Sequence, residues 1–399
     1  MKAWKLSLLA AATMSASAAY AVEPQGIELG SGVTLLPSVG LKISDNDNIY
    51  LQDSDNEVSS TITRLTPAVG VNVDMGATVI DALVKGEIGQ YTKDDNDDYT
   101  DANYAVGVAS QLTDRNAIRG SVTLNQGHDA RGSGTLEGTD ALNTDKPDQY
   151  DETTVFLNYV YGAESSMLNA SVGVEQYSKD YKNNKDVTSD REHDKTKLTA
   201  RLDINVSSAT KAIVELRNTD ISYDNDSAIA GDGSVLTGLV GASWDITGKT
   251  TGEVKLGMID RDFDDSAKDA DSRFTWEASV TYSPLSYSVI TLTTAQAANE
   301  TTSAGLGSYI ASDFTALNWK HEFSPFVALS VDASLNNSEY VDAANDREDE
   351  VVAYGISGVF SPSKNVDVVV GYKASERSSN VDGLDYDQKV IDLTMSVAI

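Results

Sequence analysis

From Ile391 to the last residue, apolar side chains alternate with polar or small ones. Ile391, Leu393, Met395, Val397 and Ile399 share one parity; Asp392, Thr394, Ser396 and Ala398 share the other. A strand sends successive side chains to opposite faces, so this stretch predicts one apolar face and one wet face. An apolar strand left at the edge of a soluble sheet invites pairing with other chains. In a transmembrane barrel the last strand closes on the first and faces lipid, and the edge disappears. The five apolar residues are therefore expected to form the barrel-closing strand.

The same alternation recurs upstream. Val33 to Leu41 and Leu65 to Val73 give the first two apolar faces. The clearest case sets Leu198, Ala200, Leu202, Ile204 and Val206 against Lys197, Thr199, Arg201, Asp203 and Asn205. Continued to the end, the pattern predicts about eighteen strands, with the segment through Ile290 and Leu292 the weakest. The connections alternate too. Short turns such as Asp74–Ala77, Thr113–Arg115 and Ser361–Lys364 take turns with long polar stretches such as Ser44–Val58, Thr92–Ala102, Gln126–Asp151 and Asn336–Glu350. Bacterial barrels have short periplasmic turns and long outer loops. The predicted fold class is all-β: a transmembrane, antiparallel, up-and-down β-barrel with long acidic extracellular loops. Gln126–Asp151 is long enough to fold inward as a constriction, or to lie outside.

Aromatic positions fit this orientation. Tyr161, Trp244, Tyr282, Trp319, Phe323 and Phe360 lie on apolar faces beside short turns, where a periplasmic girdle belongs. Tyr104, Phe274 and Tyr372 sit near long-loop ends and suit an outer girdle.

The start of the chain reads as an export signal. Lys2 and Lys5 precede a short apolar run, Leu6 to Ala12, and Ala19-Tyr20-Ala21 is a small-x-small cleavage site. The expected division is a signal peptide over 1–21, a periplasmic segment over 22–29 and the barrel over 30–399, in the outer membrane of a Gram-negative bacterium. The chain has no Cys, so an exported fold must gain its stability without disulfides. Its formal net charge of −31 makes nucleic acid an unsuitable partner.

The acids gather in the long loops, for example Asp94, Asp95, Asp97, Asp98 and Asp101. Their spacing matches no twelve-residue calcium loop, and they read as a solvated outer rim. Much of the basic charge instead falls on the wet face of the strands. The lumen-lining candidates are Lys42, Arg64, Lys85, Arg119, Lys197, Arg201, Asp203, Glu215, Arg217, Glu253, Lys255, Arg273, Glu277, Asp332 and Lys373. Two readings stand for them. They form a polar conduit for a hydrated solute, or pairs such as Glu215 with Arg217 and Arg201 with Asp203 stiffen the wall. Eighteen strands enclose room for water and solute unless loops plug the space.

Chemistry beyond passage finds little support. His128 and His193 are each followed by an Asp, and His321 lies on an outward face. A His-Asp pair without a nucleophile or activated water is no catalytic arrangement. No catalytic residue, cofactor site or metal site is expected.

A family resemblance rests on the first strands. Gly26-Ile27-Glu28-Leu29-Gly30 and Leu36-Pro37-Ser38-Val39-Gly40 run into Asp45-Asn46-Asp47-Asn48-Ile49-Tyr50, and Leu65-Thr66-Pro67 follows. This resembles the bacterial outer-membrane family described as putative beta-barrel porin type 2. The resemblance implies an outer-membrane channel that passively translocates exopolysaccharide or capsular polysaccharide. It implies a periplasmic polysaccharide export lipoprotein as partner, beside outer-membrane lipids and the barrel assembly machinery. The alternatives are a general diffusion porin for small hydrophilic solutes and a barrel that presents surface loops for adhesion.

Overall fold

The computed structural model describes residues 26–163, 165–225, 230–245, 248–301 and 307–399. The expected signal peptide lies outside them. Nineteen strands follow in chain order. They are β1 Ile27–Gly30, β2 Val33–Asn46, β3 Ser60–Asp74, β4 Thr78–Tyr91, β5 Tyr99–Thr113, β6 Asn116–Asp129 and β7 Asp148–Tyr161. Then come β8 Leu168–Tyr181, β9 His193–Asn205, β10 Thr210–Tyr223, β11 Gly233–Asp245, β12 Thr250–Phe263 and β13 Asp271–Leu285. The last are β14 Ser288–Asn299, β15 Tyr309–Ser324, β16 Val327–Val341, β17 Glu348–Ser363, β18 Val366–Ser379 and β19 Tyr386–Ala398.

Each strand from β2 to β19 pairs antiparallel with the next, and β19 returns to β2 through pairs from Val390↔Asn46 to Ala398↔Ser38. The result is a closed ring of eighteen strands. Closure lets the wall strands satisfy one another's backbone without water, as a hydrocarbon surround requires, except above Glu277↔Ala295, where β13 and β14 part. Ile391, Leu393, Met395 and Ile399 of the closing strand region are exposed on the outside, as a lipid-facing stripe must be.

β1 lies outside the ring count. It forms a small hairpin with β2, Ile27 opposite Leu35, at the short-turn end. Part of the expected periplasmic segment is thus a strand, and the ring itself begins at Val33 rather than residue 30. Gly26 donates to the Ile399 carbonyl (3.1 Å) and Ile399 to that of Pro37 (3.1 Å), so the hairpin finishes the seam. Gly26 is left-handed here, with φ +71°, and a Cβ on it would meet Thr34 Cγ2 at 2.3 Å. Only glycine fits.

The strands run further than the apolar alternation does. Gln126–Asp129 and Asp148–Asp151, read as loop, continue the ladder of β6 with β7. Asn336–Val341 and Glu348–Glu350 likewise belong to β16 and β17. Above the lipid a strand needs no apolar face, so the polar continuation carries no alternation signal.

The apolar face is on the outside throughout. Leu157, Val172, Leu198, Val240, Leu256, Val370 and their neighbours are exposed. Tyr161, Tyr282, Phe323 and Phe360 are exposed beside the short turns, with Tyr104 and Phe274 exposed nearer the long loops.

Candidate functional site

The inner face of β9 to β13 carries a dense ionic layer. Arg201 bonds to Asp203 on its own strand (2.8 Å), to Glu215 of β10 (3.3 Å) and to Glu253 of β12 (2.8 Å). Arg217 pairs with Glu215 and reaches Glu277 of β13 (3.0 Å). Lys255 completes the set with Glu215 (3.3 Å), Glu253 (3.5 Å) and Glu277 (2.7 Å). Arg201 and Glu253 stand three strands apart, and side chains meet across that distance only on the concave face. Among them Ile213 and Leu239 are 1% and 2% exposed, Ile213 opposite Asp203 and Leu239 opposite Glu215. The sequence pairs Glu215–Arg217 and Arg201–Asp203 are both present, but each is one edge of a larger network.

Other candidates divide. Lys197 pairs with Glu175 (2.6 Å), Lys42 with Asp392 (3.2 Å), and Arg64 with Glu87 (3.9 Å) and the Tyr99 hydroxyl (3.0 Å). Asp332 accepts from Asn318 (2.5 Å). Arg273 is spent on Asp271 (2.6 Å) and Glu339 (2.6 Å) near the long-loop end. Lys85, Arg119 and Lys373 make no ion pair among the described residues. The structure therefore neutralises the β9–β13 wall and leaves lone cations on β4, β6 and β18.

The mouth at the long-loop end was not legible as a unit. The segment between β6 and β7 does fold inward. Arg131 bonds to Asp97 (2.6 Å) and Asp94 (2.7 Å) of the β4–β5 loop, and to the Tyr50 hydroxyl of the β2–β3 loop. Its guanidinium lies 4.3 Å from the Tyr50 ring centre. Ala141, fully buried, packs with Ile49, Tyr50 and Ile62 in a small core. The Asp94 carboxyl is held below its usual range by its hydrogen bond to Arg131. Burial and the Asp97 carboxylate push the Tyr50 hydroxyl up.

Further along the same segment, Glu137 crosses to the far side. It bonds to Arg347 beside β17 (2.9 Å) and to Arg377 of β18 (2.9 Å). β18 lies six positions round the ring from β6, and β17 seven. The segment is thus a strap over part of the opening, fastened by one carboxylate to two arginines. A second fastening lies opposite. Glu300, just past β14, receives Arg261 of β12 through two 3.0 Å bonds and Tyr223 of β10 (2.5 Å), with Lys195 of β9 at 3.6 Å. Burial pushes this carboxyl up, but Arg261 and Lys195 override it and hold it at about 2.

A collar of tyrosines backs these fastenings. Tyr91, Tyr99, Tyr150, Tyr177, Tyr181, Tyr223, Tyr340 and Tyr386 occupy the inner face at the loop ends of their strands. Cations lie over several of the rings: Lys179 over Tyr150 at 3.7 Å, Arg347 over Tyr340 at 4.2 Å, Arg377 over Tyr386 at 4.9 Å. Inner parity near a strand top was the available signal. The tyrosines hide in polar stretches that look like loop.

The histidines belong to this packing. His128 meets Asp101 (3.0 Å) rather than the adjacent Asp129, and stacks on Tyr99 at 3.9 Å. His193 bonds to the Arg191 carbonyl (2.7 Å). His321 sits among Tyr287, Trp319 and Phe323 on the outside. Among the described residues, none has a hydrogen bond to a nucleophile.

No curated protein matches the chain. Among solved structures it is similar to OccK3 (OpdO) of Pseudomonas aeruginosa, at 13% identity and TM-score 0.49, over 92% of this chain and 96% of that one. OccAB4 of Acinetobacter baumannii gives 10% identity and TM-score 0.48 over 95% and 100%. The siderophore receptor PirA of Pseudomonas aeruginosa gives 10% and 0.48 over 92% and 80%. A closed eighteen-strand wall, apolar outside and ionic within, with a strapped mouth, is the build of a porin-like outer-membrane barrel. The family model described as Putative beta-barrel porin 2 spans residues 20–399, and the chain belongs to that family.

Proposed function

We propose that the chain is a diffusion channel for small hydrophilic solutes, with passage limited by the strap between β6 and β7. The observation that carries this reading is Glu137, which ties the strap to Arg347 and Arg377 across the opening. A strap so fastened narrows the mouth while leaving the wall below it polar and wet.

The test is conductance of the purified barrel in planar bilayers, with liposome swelling in sugars of rising size. Glu137→Gln leaves buried Arg377 without its carboxylate and Arg347 with Asp349 alone, and removing one partner of a buried pair is destabilising by roughly 3–5 kcal/mol. The strap is then expected to loosen, with higher single-channel conductance and entry of larger sugars. A barrel that stays non-conducting in both forms is no channel, and the loop-presenting role then takes its place.

Export of exopolysaccharide or capsular polysaccharide is the second reading. Its support is the family resemblance, and it requires the strap to swing clear so that a polymer can pass. Deletion in the native host separates the two. Loss of surface polysaccharide supports export; unchanged polysaccharide with slower uptake of small solutes supports the diffusion channel.

A further inference from the structure

The wall is not uniform. Between β13 and β14 the pairs stop at Glu277↔Ala295, so the upper ends of these strands have no ladder between them. Above that point the inner face of β13 laps over the outer face of its neighbours. Thr275 Oγ1 donates to the Gln296 carbonyl (2.8 Å), Arg273 bonds to Glu339 of β16 (2.6 Å), and Tyr309 of β15 bonds to Asp271. A cleft of about 650 Å³ lies at the lap. That is the size of an organic-ligand site.

Two register rows form its floor. Asp313, Asn337, Glu350 and Ser378 are successive cross-strand partners, and Ala311, Glu339 and Glu348 form the next row. Both rows continue upward the face that carries exposed Leu317, Leu335 and Val352.

What the cleft offers is acceptors. Asp313, Glu348 and Glu350 make no side-chain hydrogen bond or ion pair among the described residues. Arg273 is already bound to Asp271 and Glu339. Gln296 is 7% exposed, lines the cleft, and its buried Oε1 has no hydrogen-bond partner. A buried amide oxygen without a donor carries a desolvation penalty that a ligand N–H relieves. Phe274 and Trp276 add ring faces, which attract cations. Among the described residues no three carboxylates or imidazoles gather closely enough for a metal ion. Asp313 and Glu350 are two strands apart, about 10 Å. That separation suits charges spaced along a chain.

We propose that this cleft binds a linear oligoamine, its protonated amines donating to Asp313, Glu350 and the Gln296 amide oxygen. Spermidine is the probe. The full-length barrel in neutral detergent at physiological salt is titrated calorimetrically. Saturable binding at one site is expected. The D313N/E350Q variant is expected to bind at least tenfold more weakly. A control, D55N/E57Q, removes the same charge from the exposed β2–β3 loop and is expected to change binding less than twofold. Heat-dependent gel mobility checks that each barrel is folded; if the double variant is not, E350Q alone is expected to weaken binding about fivefold. Absence of saturable heat overturns the proposal. So does equal weakening by the control pair, or full displacement by magnesium at equal ionic strength, since either means a general counterion effect.

Discussion

Glu137 and Glu300 do similar work with different partners. Each is a single carboxylate that holds a loop segment to basic side chains of other strands, Glu137 to Arg347 and Arg377 and Glu300 to Arg261 and Lys195. For Glu300 the pH dependence follows from its depressed pKa. A carboxylate held at about 2, against an ordinary 4.5, contributes stability that is fully present above 4.5. That contribution fades as pH falls through 4.5 toward 2. The fastening is therefore expected to survive pH 5 and to release only in strong acid. Conductance noise recorded from pH 7 to pH 2 checks this. Glu300→Gln at pH 7 should reproduce the acid behaviour, because it leaves Arg261, 1% exposed, without its carboxylate. Noise that rises already between pH 7 and pH 5 in the wild type points to a different titrating group.

At the scale of elements, the strands were legible and their tops were not. Alternation is a signal only where one face meets lipid, so β9 and β19 could be read residue by residue. The polar tops of β6, β7, β16 and β17 could not. Parity also put Arg201, Glu215, Glu253 and Lys255 on one face, yet it is silent about which of them meet across three strands. The strap was legible as a long segment, but its anchors Arg347 and Arg377 are 210 and 240 residues from Glu137. Nothing local marks them. Glycines opposite tyrosines were a missed clue. Gly89 pairs with Tyr99 and Gly127 with Tyr150, and in each the ring lies over the space a Cβ would take. A Cβ on Gly89 would stand 2.1 Å from the Tyr99 ring. Gly89→Ala is expected to displace that ring and break its hydroxyl bonds to Glu87 (2.6 Å) and Arg64 (3.0 Å). Overpacking of this kind costs roughly 1–3 kcal/mol. Urea unfolding in detergent should show the loss, and Tyr99→Leu in the same background should recover part of it.

For the whole molecule, two charge distributions compete over what passes. The chain carries 61 acidic against 30 basic residues, and the long loops hold an acidic field at the mouth. The wall below is nearly balanced where Arg201, Arg217 and Lys255 face four carboxylates, and locally positive at Lys85, Arg119 and Lys373. Charge at an entrance raises the local concentration of the opposite ion, and salt screens it: the Debye length is about 10 Å at 0.1 M and about 3 Å at 1 M. The mouth is solvated, so its field extends across the opening only in dilute salt. Cation preference is therefore expected in 0.1 M potassium chloride, falling toward none at 1 M. Reversal potentials under a fixed concentration ratio measure it. The variant K85Q/R119Q/K373Q should be more cation-selective at both concentrations, because it removes the opposing charge from the wall, where screening by bulk salt is weaker. Anion preference in dilute salt would mean that the three wall cations outweigh the whole acidic rim, and the triple variant would then reverse the sign.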